Sequence, residues 1–156
     1  MYVITSAVTL HVLAAVLWVG GMFFAYVVLR PTAASQLEAP VRLRLWAEVF
    51  RRFFPWVWAS VVALPATGYA MIFLLWGGMA ATPISVHLMN GLGTVMILIY
   101  LHVFLAPYRR LRAAVAREDW QEGGRRLGQI RTLVGTNTVL GLVVIAIAAG
   151  GRYLPA

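Results

Sequence analysis

Four stretches of the chain run without a charged residue, roughly Val3–Leu29, Pro55–Trp76, Ile84–Pro107 and Thr132–Gly150. A helix of about 20 apolar residues crosses a bilayer, and each stretch is long enough to do so. The segments between the first and second runs and between the third and fourth are patterned differently. Val41, Leu45, Val49 and Phe53 recur every four residues with arginines between them, and Leu111, Val115 and Trp120 repeat a similar spacing before Gly123-Gly124. These spacings predict two short basic amphipathic helices lying on a membrane surface, with a docking partner as the alternative use. Arg30-Pro31 predicts the end of the first spanning helix, Pro55 the start of the second, and Pro65 a kink inside it. The expected fold is all-α: one integral-membrane four-helix bundle over residues 1–156, without an internal repeat. The first run lacks a basic leader region and exceeds a signal-peptide core, so it is expected to remain as a helix.

Composition supports this reading. The chain of 156 residues is 62% hydrophobic, against roughly 45–50% for soluble domains. Its net charge of +8 comes from arginine alone, since lysine is absent. Five arginines lie between runs 1 and 2 and seven between runs 3 and 4, whereas residues 77–83 have none and the C-terminus has only Arg152. The positive-inside rule places both arginine-rich segments in the cytoplasm, with the termini and the short second connection outside. The arginines are expected to contact lipid headgroups, and no nucleic-acid role is expected. The lack of cysteine excludes disulfides, thiolate metal sites and iron–sulfur clusters. With no acidic residue in any run and no phosphate-binding loop, carboxylate proton relays, di-metal carboxylate sites and nucleotide chemistry have no residues to use.

Histidines are the chemistry left inside the apolar runs. On the third helix, with His87 at zero and about 100° per residue, Asn90 falls near −60°, Gly91 near +40°, Thr94 near −20° and His102 near +60°. Tyr100 falls near the back. A polar stripe of this kind is expected to face the bundle interior. On the first helix His11, Ala15, Trp18 and Met22 share a face, which is expected to meet that stripe. Two polar levels follow: an outer one of His11 and His87 with Met79 and Met89, and an inner one of His102, Asn137, Tyr26 and Thr136. His87 and His102 are about 22 Å apart along one helix, so no single metal ion binds both. The outer level suits haem b held by His11 and His87 within apolar walls that include Trp18. Its second candidate is Cu(I), which prefers thioether and imidazole ligands such as Met79, His87 and Met89. The glycines at 20–21, 91, 93 and 141 offer small surfaces for helix packing.

The first helix, His11-Val-Leu-Ala-Ala-Val-Leu-Trp-Val-Gly-Gly-Met-Phe-Phe-Ala-Tyr26, resembles the opening helix of the CopD (copper resistance D) family. Arg51-Arg-Phe-Phe-Pro-Trp56, Ser85-Val-His-Leu-Met89 and Tyr100-Leu-His102 continue the resemblance over essentially the whole chain. It implies a protein of the bacterial inner membrane, its termini periplasmic, associated with copper handling. The implied site is the histidines of helices 1 and 3. A more distant similarity is to HemJ-type protoporphyrinogen oxidases, which bind haem b; carried over, it implies His11, His87 and His102 as site residues. This chain departs from that pattern at Met89 and Asn90, where those proteins place a lysine. The expected function is a histidine-ligated metal centre, haem b first, in transmembrane electron transfer linked to copper handling. Asn90 and Asn137 would lie beside the cofactor. The alternatives are haem-free copper uptake, HemJ-like porphyrinogen oxidation, and a structural subunit of a respiratory complex. Quinone, a periplasmic copper or redox protein and a second copy of the chain are the expected partners.

Overall fold

The computed structural model describes residues 2–151, so Arg152 lies outside the described residues. Four long helices carry the fold: α1 (Tyr2–Gln36), α2 (Ala39–Trp76), α3 (Ile84–Ala116) and α4 (Trp120–Gly150), and each is apolar enough to cross a membrane. Each exceeds the spans read from the sequence; α1 and α2 do so because the prolines expected to bound them lie within them, and α4 because it begins twelve residues before Thr132, at Trp120. Pro55 and Pro65 are both internal to α2. Helix α1 continues through Arg30-Pro31 to Gln36 after a stretch of wider winding at Phe24–Leu29. A similar stretch in α3, Phe104–Tyr108, contains Pro107. Proline removes one backbone donor and crowds the preceding turn, and a locally wider turn accommodates both. Membrane helices tolerate this where neighbouring helices cover the backbone.

The helices therefore extend well past a hydrocarbon core of about 30 Å, and the extensions gather at the arginine-rich end. The two basic segments do not lie flat on a membrane surface as separate helices. They continue α2, α3 and α4, and their apolar faces pack on one another. Leu43, Trp46 and Phe50 are the buried residues of the α2 extension, not the Val41, Leu45, Val49, Phe53 series, and Val41 is exposed. Opposite them, Leu111 and Ala114 are fully enclosed and Ile130 nearly so. The bulky aromatics decide which face turns inward, because they bury the most area per residue. The expected break at Gly123-Gly124 falls earlier, at residues 117–119. Glu118 takes a left-handed conformation there (φ 56°), and the Asp119 side chain caps α4 by accepting from the Glu122 N–H at 3.0 Å. An Arg44–Glu118 ion pair at 2.8 Å ties this turn to α2.

Helix α1 packs along α2 and touches α4, while α3 packs along α4 and meets α2 mainly through its arginine-rich end. Helices α1 and α3 are thus diagonal, and the His11 face does not meet the polar stripe of α3. Close approach of α1 to α4 depends on two glycines. A Cβ on Gly135 would lie 2.6 Å from the Tyr26 ring, and one on Gly141 would lie 2.8 Å from Val19. We expect Gly141→Leu to destabilise the detergent-solubilised protein by about 1–3 kcal/mol through overpacking. Gly20→Ala, with nothing within 4 Å of the added Cβ, should leave the thermal midpoint in place. Equal midpoints for the two variants would contradict this packing.

Candidate functional site

Each of two histidines is paired with a threonine. Within the α1–α2 interface, half-buried His11 places Nδ1 2.8 Å from Thr67 Oγ1. The Thr67 hydroxyl donates to the Ala63 carbonyl at 2.6 Å. A hydroxyl has one hydrogen, so the imidazole Nδ1–H donates to Thr67 and Nε2 carries the lone pair. Near the arginine-poor end the pattern recurs with the ring reversed. Thr82 Oγ1 donates to the Met79 carbonyl at 2.7 Å and lies 3.1 Å from His87 Nε2. There His87 Nε2–H donates and Nδ1 keeps the lone pair. At His11 the Thr67 bond sets the tautomer and presents Nε2 as a base or metal ligand.

The connection from α2 to α3 positions the second pair. Gly77 closes α2 in a left-handed conformation (φ 71°), its N–H donating to the Phe73 carbonyl. Gly78 (φ 150°) turns the chain into a short 3₁₀ turn at Met79–Ala81. The turn brings Met79 Sδ to 3.8 Å from the same Thr82 hydroxyl that meets His87. Met79 and His87 therefore converge on one buried oxygen. Met89 does not join them. Two residues apart on a helix is about 200°, so Met89 turns toward the bundle and is half-buried while His87 is exposed.

The expected interior stripe of α3 faces outward. His87, Gly91, Thr94 and His102 are exposed, and Asn90 is half-buried. Thr94 meets its own need by donating to the Asn90 carbonyl at 2.8 Å. The buried face of α3 is Met96, Tyr100 and Val103. Helical spacing gives the angle between residues but not which half is inside. Tyr100 settles that by packing on Phe54 and Trp58 (centroids 5.5 Å for each) and on Trp18 (6.2 Å). Its hydroxyl donates to the Phe54 carbonyl at 3.3 Å. The inner polar level consequently lacks His102. Tyr26 lies under the Arg30 guanidinium at 4.4 Å, and Thr136 is bonded to the Thr132 carbonyl.

Asn137 alone of that level is interior. It is 3% exposed, and its Nδ2 donates to the Met96 carbonyl at 3.3 Å with Met22 Sδ at 3.6 Å. It forms part of the wall of a cavity of about 420 Å³ with Trp18, Met22, Phe54, Val57 and Tyr100. None of the three histidines lines it. The threonines at 67 and 82 escaped the sequence reading. Their only signal was hydroxyls placed in or beside apolar runs that also hold histidine.

Helices of this length and polarity, with histidine–threonine pairs set into them, define a multi-pass membrane protein. The chain belongs to the CopD family, copper resistance protein D, whose model matches residues 47–150, two thirds of the chain. The match takes in Thr67, Met79, Thr82, His87, His102 and Asn137 and leaves out α1 with His11. No curated protein and no solved structure is significantly similar to the chain. Among the described residues, histidine and acidic side chains form no cluster of three that could hold a metal ion.

With the imidazoles neutral, ¹⁵N NMR of the histidine-labelled protein is expected to show His11 protonated at Nδ1 and His87 at Nε2. Thr67→Val and Thr82→Val should each convert one ring to a tautomer mixture. Mixed tautomers at both rings of the unmodified protein would rule out the pairing.

Proposed function

We propose that this protein handles copper at the outer face of a bacterial inner membrane, receiving Cu(I) at Met79 and His87. The convergence of that thioether and His87 Nε2 on the Thr82 hydroxyl carries the reading; Cu(I) would take the place of the Nε2 proton, which moves to Nδ1. Cu(I) favours such soft ligands, and family membership supports copper as the cargo. The arginine distribution supports the orientation: the arginine-rich end goes to the cytoplasm and the 77–83 connection, with both termini, to the periplasmic side. His11, about 14 Å along α1 from Tyr2 by helical rise, supplies a second neutral imidazole deeper in the membrane. A periplasmic copper-carrying protein is the partner this entry point would need.

Haem b ligation and electron transfer form the second reading, supported by one observation. Thr67 holds His11 in the tautomer that leaves Nε2 for an axial bond. The aromatic-walled cavity offers such a haem no histidine, and porphyrinogen oxidation gains no support from the geometry. A homo-oligomer would cover the outward polar face of α3, where His102 forms no hydrogen bond among the described residues.

In competition with a chromophoric Cu(I) chelator, His87→Ala and Met79→Leu should each weaken Cu(I) binding about tenfold or more, equivalent to ~1.4 kcal/mol. Met89→Leu and His102→Ala should leave it unchanged. A haem Soret band with stoichiometric iron, lost in His11→Ala, would replace this reading with the haem one.

A further inference from the structure

A second cavity, of about 340 Å³, lies at the arginine-rich end among α1, α2 and α4. Arg30 of α1, Arg42 of α2 and Arg131 of α4 line it, and no carboxylate does. Every other arginine of α2 and α4 has an acidic partner: Arg44 pairs with Glu118, Arg51 and Arg52 with Glu48, and Arg125 and Arg126 with Glu122. Among the described residues, the three arginines of the cavity are in no ion pair. Their other contacts leave donors unspent. Arg30 lies over the Tyr26 ring, and Arg42 donates from Nη1 alone to the Ala34 and Leu37 carbonyls at the end of α1, at 3.5 and 3.4 Å. A guanidinium carries five N–H donors.

The fold sets two of these cations level with each other. The Tyr26 ring lies against Gly135, and one turn from that contact toward the arginine-rich end is Arg30 on α1 and Arg131 on α4, which run in opposite directions. Arg42 reaches the same cavity from across the end of α1. Like charges gathered without a counter-ion repel one another, so the cluster gains by taking an anion. On the membrane side of the arginines the lining is Ala25, Phe50 and Val134, all apolar. On the other side Gly124 and Gly128 leave room, since nothing lies within 4 Å of a Cβ built on either. Guanidinium groups bind phosphate oxygens in paired hydrogen bonds. Basic pockets between membrane helices bind anionic lipid headgroups in this way. A zwitterionic lipid would set its own ammonium beside the same three cations.

We propose that this cavity holds the headgroup phosphate of one anionic phospholipid from the adjoining leaflet, bonded by Arg30, Arg42 and Arg131. The start of an acyl chain follows Ala25, Phe50 and Val134 into the bilayer. The site is at the opposite end of the bundle from the Met79–His87 pair and stands or falls independently of copper.

The test is native mass spectrometry of the whole chain released from detergent after equilibration with dioleoylphosphatidylglycerol, dioleoylphosphatidylcholine or inorganic phosphate. One phosphatidylglycerol should bind about tenfold or more tighter than phosphatidylcholine. Arg30→Gln combined with Arg131→Gln should remove that preference. Arg109→Gln combined with Arg110→Gln, which deletes the same charge from α3, outside the lining, should keep it. Gly128→Leu, which fills the cavity at unchanged charge and favours the helix, should abolish the single tight adduct and serves if the first arginine pair fails to fold. Equal affinity for the two lipids, equal loss in both arginine pairs, or undiminished binding in folded Gly128→Leu would overturn the proposal. So would displacement of the lipid by an equal concentration of inorganic phosphate, which would assign the cavity to a free anion.

Discussion

The inward packing of Tyr100 governs the membrane part of this protein. Its ring contacts Phe54, Trp58 and Phe104, with Trp18 reaching it from α1, so one side chain links three helices. Phe54 continues the stack to Phe50 and Tyr108 at the arginine-rich end. Edge-to-face ring pairs add about 0.5–1.5 kcal/mol each beyond area burial. Once Tyr100 is inside, the rest of α3 has no freedom. His102 lies about 200° from it and His87 about 140°, so both must point outward, whereas Met96 and Val103 fall within about 60° of it and are buried.

That constraint separates the polar residues into independent stations. His87 lies at the arginine-poor end of α3, within reach of the tight connection from α2, and meets Met79 there through Thr82. His11, on the helix diagonal to α3, finds its partner on α2. Asn137 is left in the interior with the aromatic rings, with no histidine beside it. The Met79–His87 contact and the aromatic-walled cavity thus occupy different parts of one small bundle: the first joins the 77–83 connection to α3, and the second is lined from all four helices.

Much of the architecture was legible in the chain: the four apolar runs, the end at which arginines gather, and the class of side chains that carry chemistry. Helix ends were less so. Pro31 and Pro55 read as boundaries, because proline breaks isolated helices, yet here neighbouring helices and a wider turn absorb the lost donors. Gly123-Gly124 read as a stop, yet it lets α4 pack on Leu43 of α2, where a Cβ at Gly123 would sit 3.1 Å away.

The sequence by itself determined relative positions along each helix: that His87 and His102 share one half of α3, and that Tyr100 opposes them. Backbone periodicity fixes these angles whatever surrounds the helix. Only the tertiary structure decided which half faces inward, because that depends on the summed fit of large rings from other helices. It also decided which threonine each histidine meets and that the Asn137 oxygen is left without a partner, since those contacts join residues 5, 41, 56 and 115 positions apart.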